Sequence, residues 1–198
     1  MIAGYVLTGG KNTRMNGKKK LYLTYNGEFF YEAVLRAFQD FPKIYLSVEA
    51  EEPYMDLDIP MIPDLYPAIG PLGGIYSGLV QCPEEALCVA ACDMPLIDRE
   101  AVRALCRCYL EHPGKITVAK AGGRIQPLFA IYPKSVLPRM EQMIAKKNYK
   151  MMDLFSTVDV FVAKFVQEEV TANINTPEEY EKLQYIVRQE YGTKSESF

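Results

Sequence analysis

Short apolar runs with strong β character alternate with amphipathic runs along nearly the whole chain. This alternation calls for βαβ units and a largely parallel sheet. Strands are expected at Ile2–Leu7, Lys43–Val48, Met61–Ile62 and Leu87–Ala91, then near Ile116–Ala119, Leu128–Tyr132 and Val158–Phe165. Phe30, Val34, Leu35 and Phe38 recur at helical spacing, so Glu28–Gln39 reads as the first long helix. Further helices are expected over Pro71–Gln81, from an Asp98 N-cap to near Leu110, and around Lys134–Lys146. Thr176 as N-cap, Pro177 at the first helical position and Glu179 closing a capping box mark a last helix. The expected fold class is α/β: a three-layer, Rossmann-like domain with a mostly parallel sheet flanked by helices. At 198 residues the chain suits one domain, placed at 1–191, with 192–198 as a polar flexible tail.

Composition narrows the function classes. The net charge of −3 does not suit a chain that binds nucleic acid over its whole surface, so any basic patch must be local. The 14 Tyr and 9 Phe read as core and not as a stacking platform for bases. No uninterrupted apolar run reaches the roughly 18 residues a membrane helix needs. Met1–Leu7 is apolar but lacks a basic lead-in, so it reads as a strand of a cytoplasmic protein. The five cysteines include no C-x-x-C pair, and Cys106 and Cys108 would point to different sides of a helix. Reduced thiols in a cytosolic protein are the expectation. His112, the one histidine, stands beside Pro113 at a helix end, where a contact with the helix C-terminus is expected in place of catalysis.

The most informative stretch follows the first strand: Leu7-Thr8-Gly9-Gly10-Lys11-Asn12-Thr13-Arg14-Met15-Asn16-Gly17-Lys18-Lys19-Lys20. Two glycines let the backbone turn tightly and present its N–H groups, and such a nest of amides binds anions. Five positive charges fall within residues 11–20. Arg14 can grip phosphate through a fork, and lysine supplies a mobile point charge. A solvated basic loop is the other reading. The loop is not a P-loop, because Gly17-Lys18 is followed by Lys19, and it lacks G-x-G-x-x-G.

Two acids stand out. Asp93 ends the apolar run Leu87–Cys92, where a strand-end carboxylate facing a phosphate loop would suit Mg²⁺; it could equally be a turn former. Asp64 lies in the loop before Gly70-Pro71-Leu72-Gly73-Gly74. A carboxylate can accept from N1–H and the 2-amino group of guanine together, which neither adenine nor cytosine offers; a solvated loop aspartate is the alternative.

These stretches resemble the molybdenum cofactor guanylyltransferases, within the wider nucleoside-triphosphate transferases. The first loop meets the fixed positions of L-x-G-G-x-x-x-R-M-x-G-x-x-K with Leu7, Gly9, Gly10, Arg14, Met15, Gly17 and Lys20, while Thr8 and Asn16 stand where alanine and glycine are common. Cys92-Asp93-Met94-Pro95 is similar to C-D-x-P, Asp64 and Gly70–Gly74 to D…G-P-L-[AG]-G, Gln126–Tyr132 to Q-P-L-F-A-x-Y, and Asn173–Glu178 to N-x-N-T-P-E. Glu49 stands near a position where the family often carries an asparagine that helps hold the base.

The resemblance implies a nucleotide-diphospho-sugar-transferase-like fold. It implies transfer of GMP from GTP to the terminal phosphate of molybdopterin, with Mg²⁺ as cofactor. Leu7, Thr8, Gly9, Gly10, Lys20, Asp64, Gly70 and Asp93 would bind the nucleotide, and Arg14, Lys20 and Asp93 would serve catalysis, with Asp93 on the metal. Arg124, Asn173 and Asn175 would face the pterin-bearing substrate. Other proteins of cofactor synthesis and acceptor apo-enzymes are the implied protein partners. A cytidylyltransferase of the same cofactor, or an enzyme acting on another small-molecule phosphate, is the alternative.

Overall fold

The computed structural model describes residues 1–8, 22–49, 57–165 and 169–183. Strand β1 (Ile2–Leu7) runs through the middle of a sheet and is followed by a small hairpin, β2 (Thr24–Tyr25) and β3 (Glu28–Phe29). Then come α1 (Phe30–Ala37), β4 (Ile44–Val48), β5 (Met61–Pro63), α2 (Pro71–Gln81), β6 (Ala86–Ala91) and α3 (Arg99–Glu111). The second half adds β7 (Ile116–Ala121), β8 (Arg124–Pro133), α4 (Leu137–Ala145), α5 (Met151–Phe155) and β9 (Val160–Lys164). A last helix, α6, begins at 177 and is described to 183.

Seven strands form one sheet in the order β5-β4-β1-β6-β8-β7-β9. The pairs β1–β4, β1–β6, β4–β5 and β7–β9 are parallel, and β8 runs antiparallel to both β6 and β7. Because β4 lies on one side of β1 and β6 on the other, the chain reverses direction across the sheet between them. In open α/β sheets this switch point opens a ligand crevice beyond the carboxyl ends of the strands.

Alternating side chains build a core on each face of the sheet. Val6, Cys88 and Ala90 point toward α1 and α3, joining Val34, Phe38, Val102 and Leu105. Tyr5, Leu7, Leu87 and Val89 point the other way, joining Leu72, Ile75, Leu79, Met140 and Leu154. Helix α2 lies very close to the sheet: a Cβ built at Gly78 would stand 2.5 Å from the Tyr5 ring. Small residues therefore permit the approach that brings the start of α2 to the end of β1.

Several boundaries differ from the sequence reading. The helix expected from Glu28 begins at Phe30, because Asn26 and Gly27 take positive φ (54° and 83°) and close the β2–β3 hairpin. Positive φ at both central residues is the requirement of a type I′ turn, which Asn-Gly meets at little cost. The strand expected at Leu128–Tyr132 extends back to Arg124, and the helix expected from Lys134 starts with a 3₁₀ turn, Lys134–Val136. Helix α5 was not anticipated. The two local caps stand as read: Asp98 accepts from Ala101 N–H at 2.7 Å, and Thr176 and Glu179 exchange backbone-to-side-chain bonds at 3.2 and 3.0 Å.

Candidate active site at the sheet's switch point

The carboxyl ends of three central strands lie level, since Leu7 pairs with Ser47 on β4 and with Ala91 on β6. The residues just past those ends are therefore neighbours. Leu7 and Thr8 are buried there; Gly9, Gly10, Arg14 and Lys20 lie outside the described residues. Cys92 N–H donates to the Leu7 carbonyl at 3.0 Å, which ties the run into Asp93 to the end of β1.

Asp64 follows β5. Its N–H donates to the Val48 carbonyl at 2.9 Å, continuing the pairing by one residue. Helix α2 then pins the loop: Gln81 Nε2 donates to the Pro63 carbonyl and Leu65 N–H to Ser77 Oγ, each at 2.8 Å. Ser47 Oγ donates to Asp64 Oδ1 at 3.1 Å. Half-burial pushes the Asp64 carboxyl up from its ordinary range; the Ser47 hydrogen bond opposes this, and the negative charge of Glu49 adds to it.

The convergence is tight. A Cβ on Gly74 would stand 2.8 Å from Ser47 Oγ, 2.9 Å from Leu7 Cδ2 and 3.5 Å from Asp64 Oδ1. Tyr5 adds a buried strut, donating its hydroxyl to the Gly74 carbonyl at 2.8 Å. Gly70, with φ of 76°, sits immediately before Pro71 and turns the chain into α2. Positive φ there favours glycine.

Asp93 is partly buried in the turn after β6. Its carbonyl accepts from Ile174 N–H at 2.8 Å, which brings Asn173 and Asn175 beside it from far along the sequence. Asn173 Oδ1 is shielded from solvent and has no hydrogen-bond partner among the described residues. Among those residues no cluster of three or more His, Cys, Asp or Glu forms a metal cage. A single strand-end carboxylate suits Mg²⁺, which accepts one or two carboxylates and takes its other ligands from phosphate and water.

Arg124 lies farther along the same end of the molecule. Phe129 pairs with Ala90 in antiparallel register, so the first residues of β8 project beyond the end of β6. A register shift between Val118 and Ala119 bulges β8 there, so Arg124, opposite Ala121 on β7, stands about one residue, roughly 3 Å, past that end. The tight Gly122-Gly123 turn that joins β7 to β8 leaves it exposed. The structure thus brings Leu7, Thr8, Asp64, Asp93, Asn173 and Asn175 to one end of the sheet, with Arg124 at its margin.

Ser47 was missed as a site residue. Its one legible signal was a polar residue inside an otherwise apolar strand end. His112 sits elsewhere, its Nδ1 donating to the Cys108 carbonyl at 2.9 Å and its ring stacked on Phe161, as expected of a helix terminus. No disulfide joins any of the five cysteines. No helix among the described residues is long and apolar enough to cross a membrane.

Residues 4–160 match the family described as the MobA-like NTP transferase domain. A probable molybdenum cofactor guanylyltransferase of Clostridium perfringens is 34% identical over 187 residues, covering 90% of this chain and 93% of that protein. The molybdenum cofactor guanylyltransferase of Vibrio cholerae is 29% identical, over 88% and 87% of the two chains. Among solved structures, the molybdopterin-guanine dinucleotide biosynthesis protein A of Archaeoglobus fulgidus superposes with a TM-score of 0.80 at 24% identity, covering 94% of this chain and 99% of that one. The 2-C-methyl-D-erythritol 4-phosphate cytidylyltransferase of Thermus thermophilus shares the fold, with a TM-score of 0.67 over 93% and 98% at 14% identity. With the fold, the level strand ends and relatives matched over most of their length, the chain belongs to the MobA-like nucleoside-triphosphate transferase family.

Proposed function

We propose that this protein transfers GMP from GTP to the terminal phosphate of a molybdopterin-type substrate, releasing pyrophosphate. The observation that carries the reading is the convergence of Thr8, Asp64 and Asp93 at the switch point. It stands in a chain whose relatives named molybdenum cofactor guanylyltransferase match about 90% of its length.

A phosphate oxygen of the pterin substrate attacks the α-phosphorus of GTP, and the bond from that phosphorus to the bridging oxygen of pyrophosphate breaks. The nucleophile is already an anion, so no general base is required. What opposes reaction is the meeting of negative charges, which positioning and fixed positive charge overcome. We assign the amides of Gly9 and Gly10 to cradle the triphosphate, and Arg14 and Lys20 to stabilise the charge growing on pyrophosphate. Leu7 and Thr8 line the approach to that loop, Asp64 accepts from the guanine edge, and Gly70 lets the chain pass beside the nucleoside. Asp93 is assigned to hold Mg²⁺, which when bound neutralises charge on phosphate oxygens. Arg124, Asn173 and Asn175 are assigned to the pterin substrate, with Arg124 suited to its phosphate.

Thermal unfolding with GTP, CTP, ATP or UTP tests the nucleotide assignment. Ligand at about 100 times its dissociation constant adds about 2.7 kcal/mol, a visible shift of the midpoint. Selective stabilisation by GTP is expected. Preference for CTP would move the assignment to cytidylyl transfer, and no shift with any nucleotide would contradict it.

A further inference from the structure

We infer that Ser47 is a positioning residue for nucleobase selection, holding the Asp64 carboxylate in one orientation and coupling it to the start of the phosphate loop. The inference rests on the assignment of Asp64 to guanine. Ser47 uses both its groups at once. Its hydroxyl donates to Asp64 Oδ1 at 3.1 Å, and its carbonyl accepts from both the N–H and the hydroxyl of Thr8. Three residues distant in sequence are thereby fixed by one side chain and its own peptide group.

The setting makes those bonds strong. Ser47 and Thr8 are each only 2% exposed, so water does not compete for either. No space remains for rearrangement, since even a Cβ on Gly74 would stand 2.8 Å from Ser47 Oγ. Asp64 is only half-buried, so without this bond its carboxyl could rotate at the edge of the crevice. Pairing with N1–H and the 2-amino group needs both carboxylate oxygens in the plane of the base, and a rotated carboxyl meets one donor at most. Thr8 extends the device. Its hydroxyl anchors the Ser47 carbonyl, a bond that the alanine common at this position in the family could not make.

The test compares dissociation constants for GTP and inosine triphosphate, which lacks only the 2-amino group. It uses the full chain and the variants Ser47→Ala, Ser47→Cys, Asp64→Ala and the Ser47→Ala/Asp64→Ala double. Ser47→Cys keeps a polar group on the same Cβ, slightly bulkier and a weaker donor, so it serves if the alanine variant fails to fold. Ser47→Ala is expected to weaken GTP binding about tenfold, the scale of a lost hydrogen bond to a charged group, and to shrink the preference for GTP over inosine triphosphate. Binding of tripolyphosphate should not change. In the Asp64→Ala background, Ser47→Ala should add nothing. Equal weakening for both nucleotides, or an additive loss in the double variant, overturns the inference. If Asp64→Ala removes the preference and Ser47→Ala does not, the inference alone falls. If Asp64→Ala leaves the preference intact, the guanine assignment falls and takes the inference with it.

Discussion

The N–H of Ile174 donates to the carbonyl of Asp93 at 2.8 Å, joining residues 81 positions apart (174 − 93) at the crevice. Ile174 is itself buried with Leu23, Phe30 and Leu183, so the strand-end acid and the Asn173–Asn175 segment are held by one small core. The acid assigned to the metal and the asparagines assigned to the pterin substrate are therefore positioned by the same contact.

Replacing Asp93 by alanine should leave the fold intact and lower turnover by about two to three orders of magnitude, as loss of a preorganised charge typically does. Pyrophosphate release at saturating GTP measures it, with the thermal midpoint as control. Turnover near that of the unaltered protein would remove Asp93 from the mechanism.

Chelation offers a separate check on the cofactor. EDTA is expected to abolish pyrophosphate release and added Mg²⁺ to restore it. The midpoint of unfolding without nucleotide should not move, because a lone carboxylate ties the ion weakly to the folded state. Release unchanged by EDTA would contradict the assignment of Mg²⁺.

Asp64→Asn should separate stability from selectivity. Burial raises the Asp64 carboxyl above its ordinary value of 3.8, so the folded protein holds this proton more firmly than the unfolded chain. Stability from this group is therefore present at acid pH and declines as pH rises through the raised value. The asparagine variant removes that cost and should be at least as stable as the unaltered protein at pH 7, while losing its preference for GTP. For the unaltered protein, GTP affinity should fall as pH drops through the same range, because the protonated acid cannot accept from both guanine donors. Titrations of midpoint and affinity against pH read both effects. A less stable variant would contradict the burial argument.

Gly78→Ala tests the close seat of α2. A Cβ there would meet the Tyr5 ring at 2.5 Å with Leu87 at 2.8 Å on the same side. Overpacking of this kind costs about 1–3 kcal/mol, offset in part by the better helix propensity of alanine. A lowered midpoint by calorimetry is expected, together with weaker GTP binding, since α2 pins the Asp64 loop.

What the sequence disclosed follows the range of the interactions involved. The caps at Asp98 and Thr176 are local, spanning three residues, and both were legible. The Asn26-Gly27 hairpin was equally local but was overlooked, because the apolar spacing from Phe30 onward drew the helix start back to Glu28. Strand β8 gave no sign of its antiparallel direction, which is set by pairing with β6 and β7 and not by its own composition. Asp64 and Asp93 could be named from residue type and motif. Ser47 could not, because its role exists only where β4 meets Thr8 and the loop after β5.

The most direct test of guanylyl transfer follows the phosphorus itself. GTP labelled at the α-phosphate is incubated with the protein, Mg²⁺ and molybdopterin, and the pterin product is separated and counted, with labelled CTP in a parallel reaction. The account expects label from GTP to appear in a guanine dinucleotide of the pterin, matched one for one by pyrophosphate, with little from CTP. Label transferred from CTP in preference, or GTP bound without any label reaching the pterin, would contradict it.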